Sequence, residues 1–232
     1  MKVKRIIKIA IDLSMFILLT LLMGEHLISE AVHEWIGVAV FVLFIVHIVL
    51  NYRWYATLFK GRYTAKRIVQ TVINFLLLMT MLLCIISSLF VSGNVFAFLN
   101  LNNGHLGRIL HLIITAWVYI LCALHLGFHW NGFVALGTKI NMSHAVKTVI
   151  VWVLRFAVLG ICAYGLYVFI DRAFYEELFL LTEFKFFDYE KTVFVYFFES
   201  TSMAVAFITA TYYIHKLIYI RKKKKSKEIQ NG

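Results

Sequence analysis

The sequence predicts an all-α membrane protein with six transmembrane helices, the first four forming a core and two more following it. Three observations predict this class. Of the 232 residues, 62% are hydrophobic and only 15% charged, and the mean hydropathy is +0.82. So little polar surface cannot clothe a soluble globule of this size, which excludes a stand-alone soluble enzyme. Six apolar stretches, near 6–23, 34–52, 68–92, 109–129, 146–170 and 193–220, are close to or above the ~20 residues a helix needs to cross a bilayer. Proline is absent, so regular helices with few sharp kinks are expected to hold side chains at fixed depths.

Taken in order, the first span reads as a retained helix, because no small-residue cleavage site follows Met23. Within it Lys8 and Asp12 are one turn apart and are expected to neutralise each other. The connection from Asn51 to Arg67 is basic and aromatic, and that from Val91 to Arg108 carries the turn formers Gly93, Asn94, Asn100, Asn102, Asn103 and Gly104. Arg155, about nine residues into the fifth span, must snorkel or find an anionic partner. The stretch from Asp171 to Lys191 mixes acids with Phe174, Phe179, Phe184, Phe186 and Phe187, which suits a segment lying in the outer interface with its apolar side down. The run from Arg221 to Lys225 follows the last span as a stop signal and lipid anchor. The expected organisation is a four-helix core over 1–130, two further spans over 131–220 and a basic tail over 221–232.

The net charge of +11 does not describe a nucleic-acid-binding face, because the basic residues alternate between the apolar runs. With the N-terminus inside, the inner segments hold Lys2, Lys4, Arg5 and Lys8, then Arg53, Lys60, Arg62, Lys66 and Arg67, then Lys139 and Lys147, then Lys216 and the tail. The outer segments hold only Arg108, Arg172, Lys185 and Lys191, a bias that places both termini in the cytoplasm. Most acids fall outside, among them Glu25, Glu30, Glu34, Asp171, Glu176, Glu177, Glu183, Asp188, Glu190 and Glu199, and are expected to shape a partner-facing surface.

Cys84, Cys122 and Cys162 lie singly in apolar spans, with no paired spacing and no Cys-x-x-Cys-His attachment motif, and read as packing residues. The histidines carry the chemistry, because an ionisable side chain in a bilayer is costly and faces a site or the bundle interior. His33 and His47 in the second span are fourteen residues apart, and so are His111 and His125 in the fourth. Fourteen residues rise about 21 Å and fall about 40° short of four full turns, so each pair lines one helix face at two depths. The second and fourth spans run in the same direction, so His33 is expected to meet His111 near the outer surface and His47 to meet His125 nearer the cytoplasm.

Two bis-imidazole sites with apolar walls and no thiolate suit two b-type haems better than zinc or copper. Gly37 and Thr115, one turn after the outer histidines, leave room for a ring. Arg108 is placed to pair with outer haem propionates and Arg53 with inner ones, although plain interfacial anchoring explains both equally well. His129, four residues after His125, is a replacement inner ligand or a contact for a quinone or propionate. His26, His105, His144 and His215 read as interfacial. A faint internal repeat, His33-x13-His47-x3-Asn51 echoed by His111-x13-His125-x3-His129, is followed each time by an aromatic belt residue, Trp54 or Trp130.

The segments HEWIGVAVFVLFIVHIVLNYRW (33–54) and HLIITAWVYILCALHLGFHW (111–130) resemble the flavinylation-associated cytochrome family of bacterial integral-membrane cytochromes b, over roughly residues 30–130. The resemblance implies haem b held by His33, His47, His111 and His125, and electron passage across the bacterial cytoplasmic membrane to or from a covalently flavinylated partner. An Asp-x-x-Thr/Ser-Gly-Ala-Thr/Ser flavin-attachment motif is absent, so FMN is expected only on a separate protein.

The expected function is therefore transmembrane electron transfer between a membrane donor, quinol, and an extracytoplasmic flavoprotein. One rival is a quinone-reactive cytochrome subunit of a larger dehydrogenase or reductase, with His129, Trp130 and His144 framing an inner quinone site. Others are a transporter or metal permease, opposed by the lack of broken helices, and a scaffold with packed histidines.

Overall fold

A computed structural model describes residues 2–101, 104–137, 143–182 and 191–231, with the side chains of 2–3, 25, 135–137 and 218–231 set aside. Expectations for Lys139, Lys185, Glu183, Asp188, Glu190, Phe184, Phe186, Phe187, Asn102 and Asn103 lie outside the described residues, as do those for the side chains of Glu25 and of the tail.

The chain is all-α among the described residues, with helices α1 (Lys2–Leu22), α2 (Glu30–Leu50), α3 (Tyr52–Ala56), α4 (Ala65–Val91), α5 (Gly104–Gly137), α6 (His144–Asp171), α7 (Phe174–Phe179) and α8 (Val193–Asn231). Polar residues at the ends of the apolar runs set several boundaries. The hydroxyls of Ser29, Thr64 and Ser143 accept from the backbone N–H of Val32, Arg67 and Val146, capping α2, α4 and α6. Asn51 breaks the second span, so Arg53 belongs to the short helix α3.

Five helices, α2, α4, α5, α6 and α8, are long and apolar enough to cross a membrane. Helix α1 is as long as α2, but its least charged stretch, residues 5–22, still carries Arg5, Lys8 and Asp12. Large apolar side chains on the outside, such as Leu154, Phe156, Leu159 and Leu166 of α6, are exposed, the surface of a protein whose solvent is hydrocarbon. The chain is a multi-pass membrane protein.

Helix α5 runs through the middle, with α4 on one flank, α8 and α7 on the other, and α6 packed on α8. Small residues let α8 come close to its neighbours. A Cβ added at Gly165 of α6 would collide with the Ser202 carbonyl oxygen, and one at Gly127 of α5 would come 2.7 Å from that of Ile208. One apolar core, from Ala116, Tyr119, Ile120 and Ala123 of α5 with Phe174, Leu178, Met203, Ala204 and Ile208, joins α5 to α7 and α8. A second, around Val40, Phe44, Met81 and Val118, draws in Met15, Leu18, Leu19 and Leu22 of α1 and so ties together α1, α2, α4 and α5.

The described part of the segment after Asp171 packs on the bundle with part of its apolar side, while Phe179 and Leu181 stay exposed. Ala173 and Leu180 take left-handed backbone conformations (φ 47° and 50°) that fold α7 back on the bundle. Phe174, Glu177 and Leu178 are buried, because α7 packs against α5 and α6 and Phe174 and Leu178 join the core that α5 shares with α8. Nearby, Arg172 donates to Glu199 and to Ser200 Oγ (3.2 Å), Lys191 Nζ lies 3.1 Å from Glu199 Oε1, and the Arg172 guanidinium stacks 4.0 Å over Tyr196. Glu199 and Glu177 are thus inside the fold and not part of an exposed acidic face.

Candidate functional site

The two histidine pairs meet as their spacing requires. The ring centroids of His33 and His111 are 6.4 Å apart with planes at 72°, and those of His47 and His125 are 6.3 Å apart, also at 72°. Early faces early and late faces late, so α2 and α5 are parallel. A metal-bound imidazole nitrogen lies about 2 Å from its metal and about 1.1 Å from its own ring centre, so two imidazoles on opposite sides of one metal have centroids about 6.2 Å apart, close to both observed separations.

The backbones that carry the two pairs stand apart. Close backbone packing joins α1 to α2 and α4 to α5, whereas α2 scarcely approaches α4 or α5. The gap is crossed by side chains. A Cβ at Gly37, one turn after His33, would meet no atom within 4 Å, and the Thr115 hydroxyl folds back on its own helix, donating to the carbonyls of His111 (2.8 Å) and Leu112 (2.9 Å). Among the described residues no group of three or more His, Cys, Asp or Glu side chains converges as a metal cage. Two imidazoles per site fit a group that brings its own equatorial ligands, as haem does, and do not fit a protein-only zinc centre.

The rings of His47, His125 and His111 are oriented from behind. Nδ1 of His47 lies 2.7 Å from Asp12 Oδ1, that of His125 2.8 Å from Asn74 Oδ1, and that of His111 3.1 Å from Ser87 Oγ. The Ser87 hydroxyl spends its proton on the Cys84 carbonyl (2.9 Å), so it accepts from His111. With the proton on Nδ1, each ring presents Nε2 as its acceptor atom, and at His47 that atom has the Asn51 side-chain amide nitrogen 3.4 Å away. Sequence reasoning missed all three partners. A readable signal existed for two of them: Asn74 and Ser87 are thirteen apart on α4, which mirrors in reverse the fourteen between His111 and His125.

Lys8 and Asp12 do not pair with each other as expected. Lys8 Nζ donates to Asn51 Oδ1 (2.8 Å) while Asp12 holds His47, because α1 runs antiparallel to α2 and offers both groups to it. Glu34, expected on an outer partner surface, instead accepts from the Ser92 hydroxyl (2.6 Å) and from the backbone N–H of Gly93 (2.9 Å), Asn94 (3.1 Å) and Val95 (2.6 Å), pinning the outer end of α2 to the turn after α4.

Arg108 is exposed and lines an outer cleft with Glu30, Val91, Gly104 and His105. Arg53 is exposed on α3 beside Tyr52. His129 stacks obliquely on His125, with centroids 4.8 Å apart, and its Nε2 lies 3.3 Å from Gln70 Nε2, so it stands behind the inner pair while His125 faces His47. Trp130, one residue on, packs against the α5–α8 core. Arg155 is exposed on α6 with its guanidinium 5.1 Å over Trp152, and α6 packs on α7 and α8, so it does not reach either pair. His215 is buried against Phe128, because α8 turns that face toward α5. Comparison of the chain with protein-family models, curated proteins and solved structures gives no match.

Proposed function

We propose that the chain is a transmembrane b-type cytochrome of the flavinylation-associated kind, carrying electrons between a membrane donor such as quinol and a separate extracytoplasmic flavoprotein that bears FMN. The observation that carries this reading is the repeated pair geometry, 6.4 and 6.3 Å at the same 72°, at two depths on parallel helices. Haem, when bound, supplies one-electron chemistry. The protein's own residues do the rest. His33 with His111 and His47 with His125 would hold the haem irons, and Asp12, Asn74 and Ser87 orient His47, His125 and His111. The Val40, Phe44, Met81 and Val118 cluster keeps water out between the two levels. Arg108 and Arg53 stand at the outer and inner rims, where acidic substituents of a bound ring would emerge.

In this reading α1 is the sixth crossing. Its charges sit on its inner half and are taken up by neighbours: Arg5 donates to the Gly132 carbonyl (3.0 Å), Lys8 donates to Asn51, and Asp12 accepts from His47 Nδ1. Both termini then face the cytoplasm of a bacterial membrane. A second reading, a quinone-reactive subunit of a larger complex, draws on the polar pair His129–Gln70 beside the inner site.

The test is vectorial. Purified protein is placed in sealed liposomes loaded with ferricyanide, and dithionite is added outside. Bleaching of the trapped ferricyanide at a rate proportional to protein supports the reading, and its loss in His47→Ala and His111→Ala ties the current to the two pairs. A rate equal to that of protein-free liposomes overturns it.

A further inference from the structure

The two histidine pairs share ring geometry, but the groups behind His47 and His111 differ. At the inner pair, His47 Nδ1 meets a carboxylate, Asp12 Oδ1, at 2.7 Å, and the side chains of both are largely covered, at 24% and 31% exposure. At the outer pair, His111 Nδ1 meets a neutral hydroxyl, Ser87 Oγ, at 3.1 Å. The carboxylate nearest in sequence to the outer site, Glu34, is next to His33 but is spent on Ser92 and the backbone of 93–95. The inner carboxylate is held in place by a second rung. Lys8 and Asp12 are four apart on α1, His47 and Asn51 four apart on α2, and Lys8–Asn51 at 2.8 Å keeps the antiparallel register that sets Asp12 behind His47. Lys8, the cation one turn from Asp12, is thereby directed at Asn51.

A carboxylate draws the Nδ1 proton more strongly than a hydroxyl does, which makes Nε2 of the same ring more basic and a better electron donor to a metal. A ring so polarised, with a fixed negative charge behind it, stabilises the ferric state over the ferrous one. Resting on the di-haem reading above, we infer that Asp12 is a positioning and tuning residue that gives the inner site the lower reduction potential, so that the downhill direction runs from the cytoplasmic pair to the outer pair.

The experiment is a potentiometric titration, followed in the visible spectrum, of the full-length haem-loaded protein and of Asp12→Asn, Asp12→Glu, Ser87→Ala and His47→Ala. The wild type is expected to show two midpoints, and His47→Ala to lose the lower. Asp12→Asn is expected to raise the lower midpoint and leave the upper where it was. Asp12→Glu keeps the lower midpoint near its wild-type value, and Ser87→Ala leaves it unchanged. Loss of the upper transition in His47→Ala overturns the inference, and so does an Asp12→Asn protein whose lower midpoint does not move. If Asp12→Asn does not fold, the identity of the transition lost in His47→Ala decides alone. A wild-type chain that binds no haem overturns the di-haem reading itself, and the tuning role with it.

Discussion

Val40 on α2 and Val118 on α5 belong to one buried cluster, and each stands seven residues from both histidines of its own helix. The apolar plug they form therefore lies midway between the two sites, which are separated along each helix by about 21 Å. Two polar levels with a dry layer between them suit a relay better than a water-filled pathway.

Each histidine should serve one site only. His33→Ala or His111→Ala is expected to take haem content from two per chain to one by emptying the outer site, and His47→Ala or His125→Ala to do the same at the inner site. Haem per chain after purification, with the surviving redox transition identified, checks this. Full content in all four variants would contradict the ligand assignment.

The groups behind the rings should matter nearly as much as the ligands. Asn74→Leu removes the acceptor 2.8 Å from His125 Nδ1, and is expected to weaken inner haem retention about 10–100-fold while sparing the outer site. Competition with apomyoglobin, which strips loosely held haem, measures it. Equal loss rates for Asn74→Leu and wild type would count against an orienting role.

Much of this was legible in the sequence. The histidine spacing, the parallel direction of α2 and α5 and the apolar runs follow from helical geometry, and the structure brings together the pairs so predicted. What was not legible depends on long-range packing. Lys8 and Asp12 are one turn apart and read as a local pair, but α2 competes for both. Glu34 looked like a surface acid because sequence cannot show that the turn at 92–95 offers it several N–H groups. The acidic aromatic stretch gave no sign that Phe174 and Leu178 would find a buried face on α5 and α8.

Glu34 should be structural. Glu34→Ala leaves the N–H groups of Gly93, Asn94 and Val95 without their acceptor, and is expected to cost about 2 kcal/mol or more of stability. Thermal unfolding in detergent should show a lowered midpoint, with outer haem released before inner. An unchanged midpoint would show that water replaces the carboxylate without penalty.

Helix α6 should be separable from the histidine pairs. Gly165→Ala drives a methyl into the Ser202 carbonyl, so α6 must move away from α8. Overpacking of this kind costs about 1–3 kcal/mol. Lowered thermal stability with haem content still at two per chain is the expected outcome. Loss of haem from Gly165→Ala would show that α6 supports the cofactor sites.

The central claim is that each pair holds one haem iron, and a pyridine haemochrome count on the purified protein, taken with oxidised and dithionite-reduced visible spectra, tests it most directly. Two b-type haems per chain, both low-spin as two imidazole ligands require, is the predicted result. A protein that stays colourless after expression with added haem would contradict it and return the histidines to a transport or packing role.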